Sequence, residues 1–152
     1  MRFSEAGTVG VVGLGDTGLP LAVALADSGV LTTGLDTDRA RVAALRAGES
    51  YVAEVSPDAL VATADWFEPT TDPGLLAGLD SYVICVPAPA GDARQVERAA
   101  EVLGPLLRRG AVVEVRSPVP TRHVAARLAA SSGLRPGVDF HVTAPGPAAM
   151  AA

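Results

Sequence analysis

One stretch, Thr8 to Leu31, constrains the fold more than any other. Thr8-Val9-Gly10-Val11-Val12 is a short apolar run rich in β-branched residues, the pattern of a buried strand. Gly13-Leu14-Gly15-Asp16-Thr17-Gly18 follows without interruption. Leu19 to Ala26 then has a helical pattern that ends near Ser28-Gly29. Strand, G-x-G-x-x-G and helix together form the context in which these glycines bind a dinucleotide. Gly13 permits the tight turn, Gly15 leaves room for a pyrophosphate beside the backbone, and Gly18 lets the helix pack close to the strand. Free N–H groups of the first helical turn face the anion. Leu14, Asp16 and Thr17 fill the intervening positions and join the candidate contacts. The competing reading is a glycine turn that holds no ligand.

Leu31-Thr32-Thr33-Gly34-Leu35-Asp36 reads as the next strand, closed by Asp36. That carboxylate lies about 20 residues past the glycine motif, where a ribose-binding acid belongs. Asp36 also precedes a helical segment, Ala40 to Ala47, and can be read as its N-cap. Arg41, one turn further on, is either a solvated helix charge or a cover for the adenosine side of the dinucleotide.

The rest of the chain alternates. Ser56 and Pro57 read as cap and first residue of a helix. Trp66 and Phe67 read as apolar anchors, and Thr70 to Pro73 as the start of a short helix running to Leu79. Ser81 to Val86 is the clearest central strand, ended by Pro87-Ala88-Pro89-Ala90-Gly91. Gln95 to Leu107 is an amphipathic helix with Val96, Ala99, Ala100 and Leu103 on one stripe. Ala111 to Val115 is a strand, Arg116 to Pro120 a stiff loop, and Arg122 to Ala130 a helix capped by Thr121. Asp139 to Thr143 is a last short strand. Such alternation predicts an α/β fold: a Rossmann-like, doubly wound, mostly parallel sheet with helices on both faces. The Val9 strand should be central and the Val83 strand its neighbour. Residues 1–152 form a single domain in this reading, with an ordered core over 7–143 and a frayed tail over 144–152.

Composition narrows the function classes. A net charge of -5 and no basic patch argue against nucleic acid and anionic membrane as partners. Cys85, the only cysteine, excludes an internal disulfide and a thiolate metal cluster. Its place in a strand favours an inert buried thiol over a nucleophile. Two separated histidines without a carboxylate pattern predict no metal site. Met1 to Glu5 lack an apolar signal run, and the expected location is the cytoplasm.

Several stretches together resemble the amino-terminal NAD domain of the UDP-glucose and UDP-N-acetylmannosamine dehydrogenase family. They are Val9 to Gly15, Gly18-Leu19-Pro20-Leu21-Ala22, Gly34-Leu35-Asp36 with Arg41-Val42, Cys85-Val86-Pro87-Ala88-Pro89, and Gly137 to His141. Members of that family oxidise a nucleotide-sugar alcohol twice, through a thioester, to a uronate with two NAD+. The resemblance implies NAD as cofactor, with Gly13, Gly15 and Gly18 at the pyrophosphate. It implies Asp36 at the adenosine ribose with Arg41 beside it, and Val86, Pro87 and Ala88 flanking the nicotinamide half.

This chain also departs from the family. Asp16-Thr17 stands for the usual Tyr-Val, placing a carboxylate near the pyrophosphate, and Ala88 stands for Thr. The loop that supplies a catalytic threonine reads Glu114-Val115-Arg116. The segment that supplies a catalytic glutamate has become Ala144 to Pro147. The family's cysteine nucleophile and its lysine and asparagine helpers have no counterpart here, and Cys85 matches a cofactor-domain strand instead. His123 follows a loop at the cofactor edge and is the only acid–base candidate there, with a plain surface histidine as its alternative reading. His141, in a strand, is read as a satisfied structural histidine.

Three functions compete. The first is a truncated nucleotide-sugar 6-dehydrogenase-like oxidoreductase domain that binds NAD without autonomous turnover. The second is a non-catalytic binding or assembly module acting with a partner protein. The third is a small NAD-dependent enzyme of a different reaction, built on Arg116 and His123. A homo-oligomer or a partner protein is expected.

Overall fold

The computed structural model describes residues 7–146. Six strands form one sheet over these residues, in the order β3-β2-β1-β4-β5-β6, and every neighbouring pair is parallel. The strands are β1 (Thr8–Val12), β2 (Leu31–Leu35), β3 (Phe67–Thr70), β4 (Ser81–Ile84), β5 (Ala111–Val115) and β6 (Phe140–Thr143). Helices α1 (Gly18–Asp27), α2 (Arg39–Arg46), α3 (Pro57–Ala62), α4 (Arg94–Leu103) and α5 (Thr121–Ser132) connect them. The doubly wound sheet with helices on both faces is as the sequence predicts, with β1 central and β4 beside it.

Alternation along the strands divides the core. Val9, Val11 and Val83 face one side, where Leu19, Ala22, Val23, Leu45, Leu60 and Phe67 cover them. Val12, Tyr82 and Ile84 face the other side, against Val96, Leu103, Val124, Leu128 and Phe140. β1 and β4 are buried on both faces, which is why they read as continuous apolar runs. At the sheet's amino edge, Asp80 accepts hydrogen bonds from the Thr8 N–H (2.9 Å) and hydroxyl (3.1 Å) and pairs with Arg108.

The structure corrects several local expectations. Phe67 to Thr70 forms an edge strand that the sequence reading did not assign, and Pro73–Leu76 is a short 3-10 turn rather than a helix to Leu79. Phe67 is buried, but Trp66 is 43% exposed. The helix expected over Gln95 to Leu107 breaks at Gly104-Pro105 into a 3-10 turn. Helix α5 begins at Thr121 itself, with Pro120 as its cap residue and no side-chain cap bond. In β6 the pleat buries Phe140 and turns His141 outward, so His141 is an exposed side chain and not a structural one. The expected tail is described only to Gly146; its remainder, and the amino-terminal Met1 to Glu5, lie outside the described residues.

Candidate functional site

Because the sheet is parallel, the loops after β1, β2, β4 and β5 share one carboxyl edge. The chain winds outward from β1 to β3, then returns to β4 and winds the other way, so a crevice opens between β1 and β4. Gly13 extends the ladder at that point: its N–H donates to the Leu35 carbonyl at 2.8 Å. With φ at +94°, and the Cys85 backbone 3.1 Å from where a Cβ would stand, the position requires glycine. Gly18 is tighter, since a Cβ there would fall 1.7 Å from the Gly13 carbonyl oxygen. Gly15 is the reverse case. A Cβ there meets nothing nearer than Arg41 Nη1, at 3.7 Å.

Helix α1 starts directly behind this turn. Its cap residue Thr17 makes no side-chain cap bond, and no acid stands in the first turn. Asp16 and Thr17 are both exposed, so water screens the Asp16 charge. The Leu14 side chain is fully buried, in the space left by Gly34, where a Cβ would come within 2.7 Å of it.

Asp36 is buried to 9% exposure at the end of β2. Its Oδ2 accepts the Leu14 N–H at 3.0 Å and its Oδ1 accepts the Asp38 N–H at 2.8 Å. Arg41 Nη1 lies 3.4 Å from Oδ2. Asp36 is not the cap of α2; Asp38 is, accepting from the Ala40 and Arg41 N–H groups. That leaves Asp36 to join the glycine turn to β2. Tyr51 completes the group: its hydroxyl donates to the Leu14 carbonyl at 2.6 Å, and its ring lies 5.3 Å from the Arg41 guanidinium carbon. Burial, and after it the Asp36 charge, push the Tyr51 phenol up to about 12. Tyr51 lies 37 residues from Leu14 and belongs to no local pattern, so the sequence offered no signal for it.

The other half of the edge is built differently. Cys85 stands one residue past β4, half-buried, its N–H donating to the Val12 carbonyl at 2.8 Å. Burial pushes its thiol up to about 12, so it is a neutral packing group at neutral pH. Val86 is half-buried, Pro87 exposed and Ala88 buried. The Val86 carbonyl accepts the Ser117 hydroxyl at 2.6 Å, which ties this loop to the one after β5. Ala90 is held at φ 54°, a left-handed conformation. Arg116 Nε donates to Glu114 Oε2 at 2.7 Å, and both side chains are largely buried. His123 is exposed on the first turn of α5. The fold therefore brings Gly13, Leu14, Gly15, Asp36 and Arg41 together around one turn, while Arg116 and His123 form no joint acid–base pair. Among the described residues, no group of three or more His, Cys, Asp or Glu side chains is arranged to hold a metal.

A parallel sheet in this order, with a glycine turn and helix N-terminus at its switch point, defines a dinucleotide-binding domain of the Rossmann class. A family profile described as the UDP-glucose/GDP-mannose dehydrogenase family, NAD binding domain, matches residues 7–145, and the chain belongs to this family as that domain. It is 31% identical over 144 residues to the UDP-N-acetyl-D-mannosamine dehydrogenase of Pyrococcus horikoshii, covering 88% of this chain and 34% of that protein. It is 32% identical to an NDP-N-acetyl-D-galactosaminuronic acid dehydrogenase of Ralstonia nicotianae, covering 88% and 33%. The structure of the Pyrococcus horikoshii enzyme superposes with a TM-score of 0.84 at 30% identity over 90% of this chain and 35% of that one. A ternary complex of GDP-mannose dehydrogenase from Pseudomonas aeruginosa superposes at 0.81, with 25% identity over 90% and 35%. The chain thus spans about a third of the length of the relatives it matches.

Proposed function

We propose that this chain holds NAD across the crevice between β1 and β4, as the cofactor half of a nucleotide-sugar dehydrogenase-like oxidoreductase, and does not turn over a sugar nucleotide alone. The observation that carries this reading is the contrast within the turn: Gly18 has no room for a side chain, whereas a Cβ at Gly15 would meet only the end of the Arg41 side chain, at an ordinary contact distance of 3.7 Å. A plain structural turn requires the first feature and not the second.

The residues divide the work. Gly13, Gly15 and Gly18 leave a cradle for the pyrophosphate, with Asp16 and Thr17 at the helix N-terminus beside it. The Leu14 N–H is already given to Asp36, so Leu14 holds the turn in shape. Each carboxylate oxygen accepts about two hydrogen bonds, and Asp36 Oδ1 retains a place for a ribose hydroxyl beside the Asp38 N–H. Val86, Pro87 and Ala88 border the nicotinamide half. Bound NAD supplies the hydride acceptor. Among the described residues, Arg116 offers only donors, its Nε taken up in the pair with Glu114, so it supplies no proton acceptor.

A substrate-binding wall would come from further chain or from a partner. We assign a homo-oligomer or partner protein to this role; Leu31, Trp66 and Val138, all more than 40% exposed, support uncovered surface. Among the described residues no helix is long and apolar enough to cross a membrane. The cytoplasm is the proposed location, and neither membrane nor nucleic acid is a proposed partner.

Calorimetric titration with NAD+ tests the reading. Wild-type protein should bind, and Gly15→Val should lose affinity by about 100-fold or more while its circular dichroism is unchanged. Equal affinity in the folded variant would refute the site.

A further inference from the structure

We propose that Tyr51 is a specificity-determining residue of the dinucleotide site, whose ring parks the Arg41 guanidinium on Asp36 and so withholds it from a 2′-phosphate. The inference rests on the reading of this turn as a dinucleotide site.

Arg41 is five residues past Asp36, on α2, and 44% of its side chain is exposed. Left alone, a side chain of this length samples many rotamers in solvent. Here three contacts hold it. Its guanidinium carbon lies 5.3 Å from the Tyr51 ring centroid, Nη1 lies 3.4 Å from Asp36 Oδ2, and Nε lies 3.8 Å from Asp38 Oδ2. Both ion-pair distances are long, and half-exposed pairs of this kind are individually weak. The ring supplies a fixed surface on which they can persist.

Tyr51 is itself fixed from below. Its hydroxyl donates to the Leu14 carbonyl at 2.6 Å, inside the glycine turn. The raised phenol keeps its proton throughout the working pH range, so this donor is constant. One side chain therefore joins the turn, the ribose-side acid and the nearby cation.

A ribose 2′-hydroxyl can donate to Asp36, but a 2′-phosphate sets negative charge against it and needs a free countercharge. Arg41 is the cation in contact with Asp36, and in this arrangement its charge is already matched by Asp36 and Asp38. Removing the ring frees Arg41 to turn toward a 2′-phosphate. Removing only the hydroxyl leaves the platform in place.

Titration of wild type, Tyr51→Leu and Tyr51→Phe with NAD+ and NADP+ separates these effects, because loss of the Leu14 bond weakens both nucleotides and cancels in their ratio. Tyr51→Leu should raise the NADP+ to NAD+ affinity ratio by about fivefold, the upper range for one half-exposed ion pair. Tyr51→Phe should keep the wild-type ratio. An unchanged ratio in folded Tyr51→Leu overturns the inference while leaving NAD binding intact. Wild-type protein that binds neither nucleotide overturns both readings. Nuclear Overhauser contacts between the Arg41 methylenes and the Tyr51 ring give an independent test in wild-type protein. They should persist when NAD+ is added, and their disappearance refutes the parking role.

Discussion

The two halves of the carboxyl edge differ in how their polar groups are used. Over β1 and β2, Asp36, Leu14, Arg41 and Tyr51 converge on one turn, and at its centre Gly15 leaves room for a side chain, with only the Arg41 guanidinium within contact distance. Over β4 and β5 the polar groups turn on one another: Arg116 closes on Glu114, and Ser117 closes on the Val86 carbonyl. The candidate base offered by the sequence, His123, is exposed on the first turn of α5. Binding chemistry and reaction chemistry are thus separable in this fold. A cofactor half needs glycines, one acid and a helix end, all of which lie close together in sequence. A reaction half needs a base, a nucleophile and a second wall.

The sharpest way to break this contrast is to look for turnover. Purified chain mixed with NAD+ and UDP-glucose, UDP-N-acetylmannosamine or UDP-N-acetylglucosamine should give a flat NADH absorbance trace. Sustained NADH production, lost in Gly15→Val, would mean that the β4–β5 half does chemistry and would put His123 at its centre.

Next in size is a difference inside the turn. Gly18→Ala sets a methyl group 1.7 Å from the Gly13 carbonyl oxygen. Backbone on both sides must give way, at a cost of about 3 kcal/mol in urea denaturation. Gly15→Val should change stability by no more than about 0.5 kcal/mol. Similar losses in the two variants would mean that Gly15 is structural, leaving no argument for a ligand.

Alkaline pH probes both halves together. The Cys85 thiol is raised from 9.0 and the Tyr51 phenol from 10.0, each to about 12. Both groups hold their protons more tightly folded than unfolded, so the unfolded chain releases them first. Stability should be complete below pH 9 and fall as pH rises from there toward 12. Tyr82 is raised as well, mainly by burial, so tyrosinate absorbance should lag that of the urea-unfolded chain. Matching titrations in the folded and unfolded protein would contradict the enclosed settings of both phenols.

The smallest effect lies in the loop after β4. Ala90 holds a left-handed φ of 54°. Ala90→Gly should therefore stabilise the protein by about 1 kcal/mol. A loss of stability would mean that the Ala90 methyl group makes contacts that outweigh this strain.

The parts legible in the sequence were those with local periodicity or a fixed spacing. β1 and β4 are buried on both faces and read as unbroken apolar runs; α4 shows its stripe at Val96, Ala99, Ala100 and Leu103. The strand Phe67 to Thr70 gave no such signal, being short and interrupted by Pro69, which an edge strand tolerates. The pleat explains His141: with Phe140 inward, its neighbour must point out. The sequence offered Asp36 as the cap of the following helix; the fold shows that Asp38, two residues on, takes the helix and Asp36 the turn. Tyr51 and the Arg116–Glu114 pairing depend on how side chains meet in space, and no spacing rule announces them.

The central claim is that a dinucleotide lies over β1 and β2 with its far end at the β4 loop. Amide chemical-shift mapping during NAD+ titration tests it most directly. The account predicts saturable shifts at Gly13 to Gly18, Asp36, Arg41 and Val86 to Ala88, with the amino edge around Thr8 and Asp80 unmoved. No shifts, or shifts confined to surfaces away from the glycine turn, would contradict it.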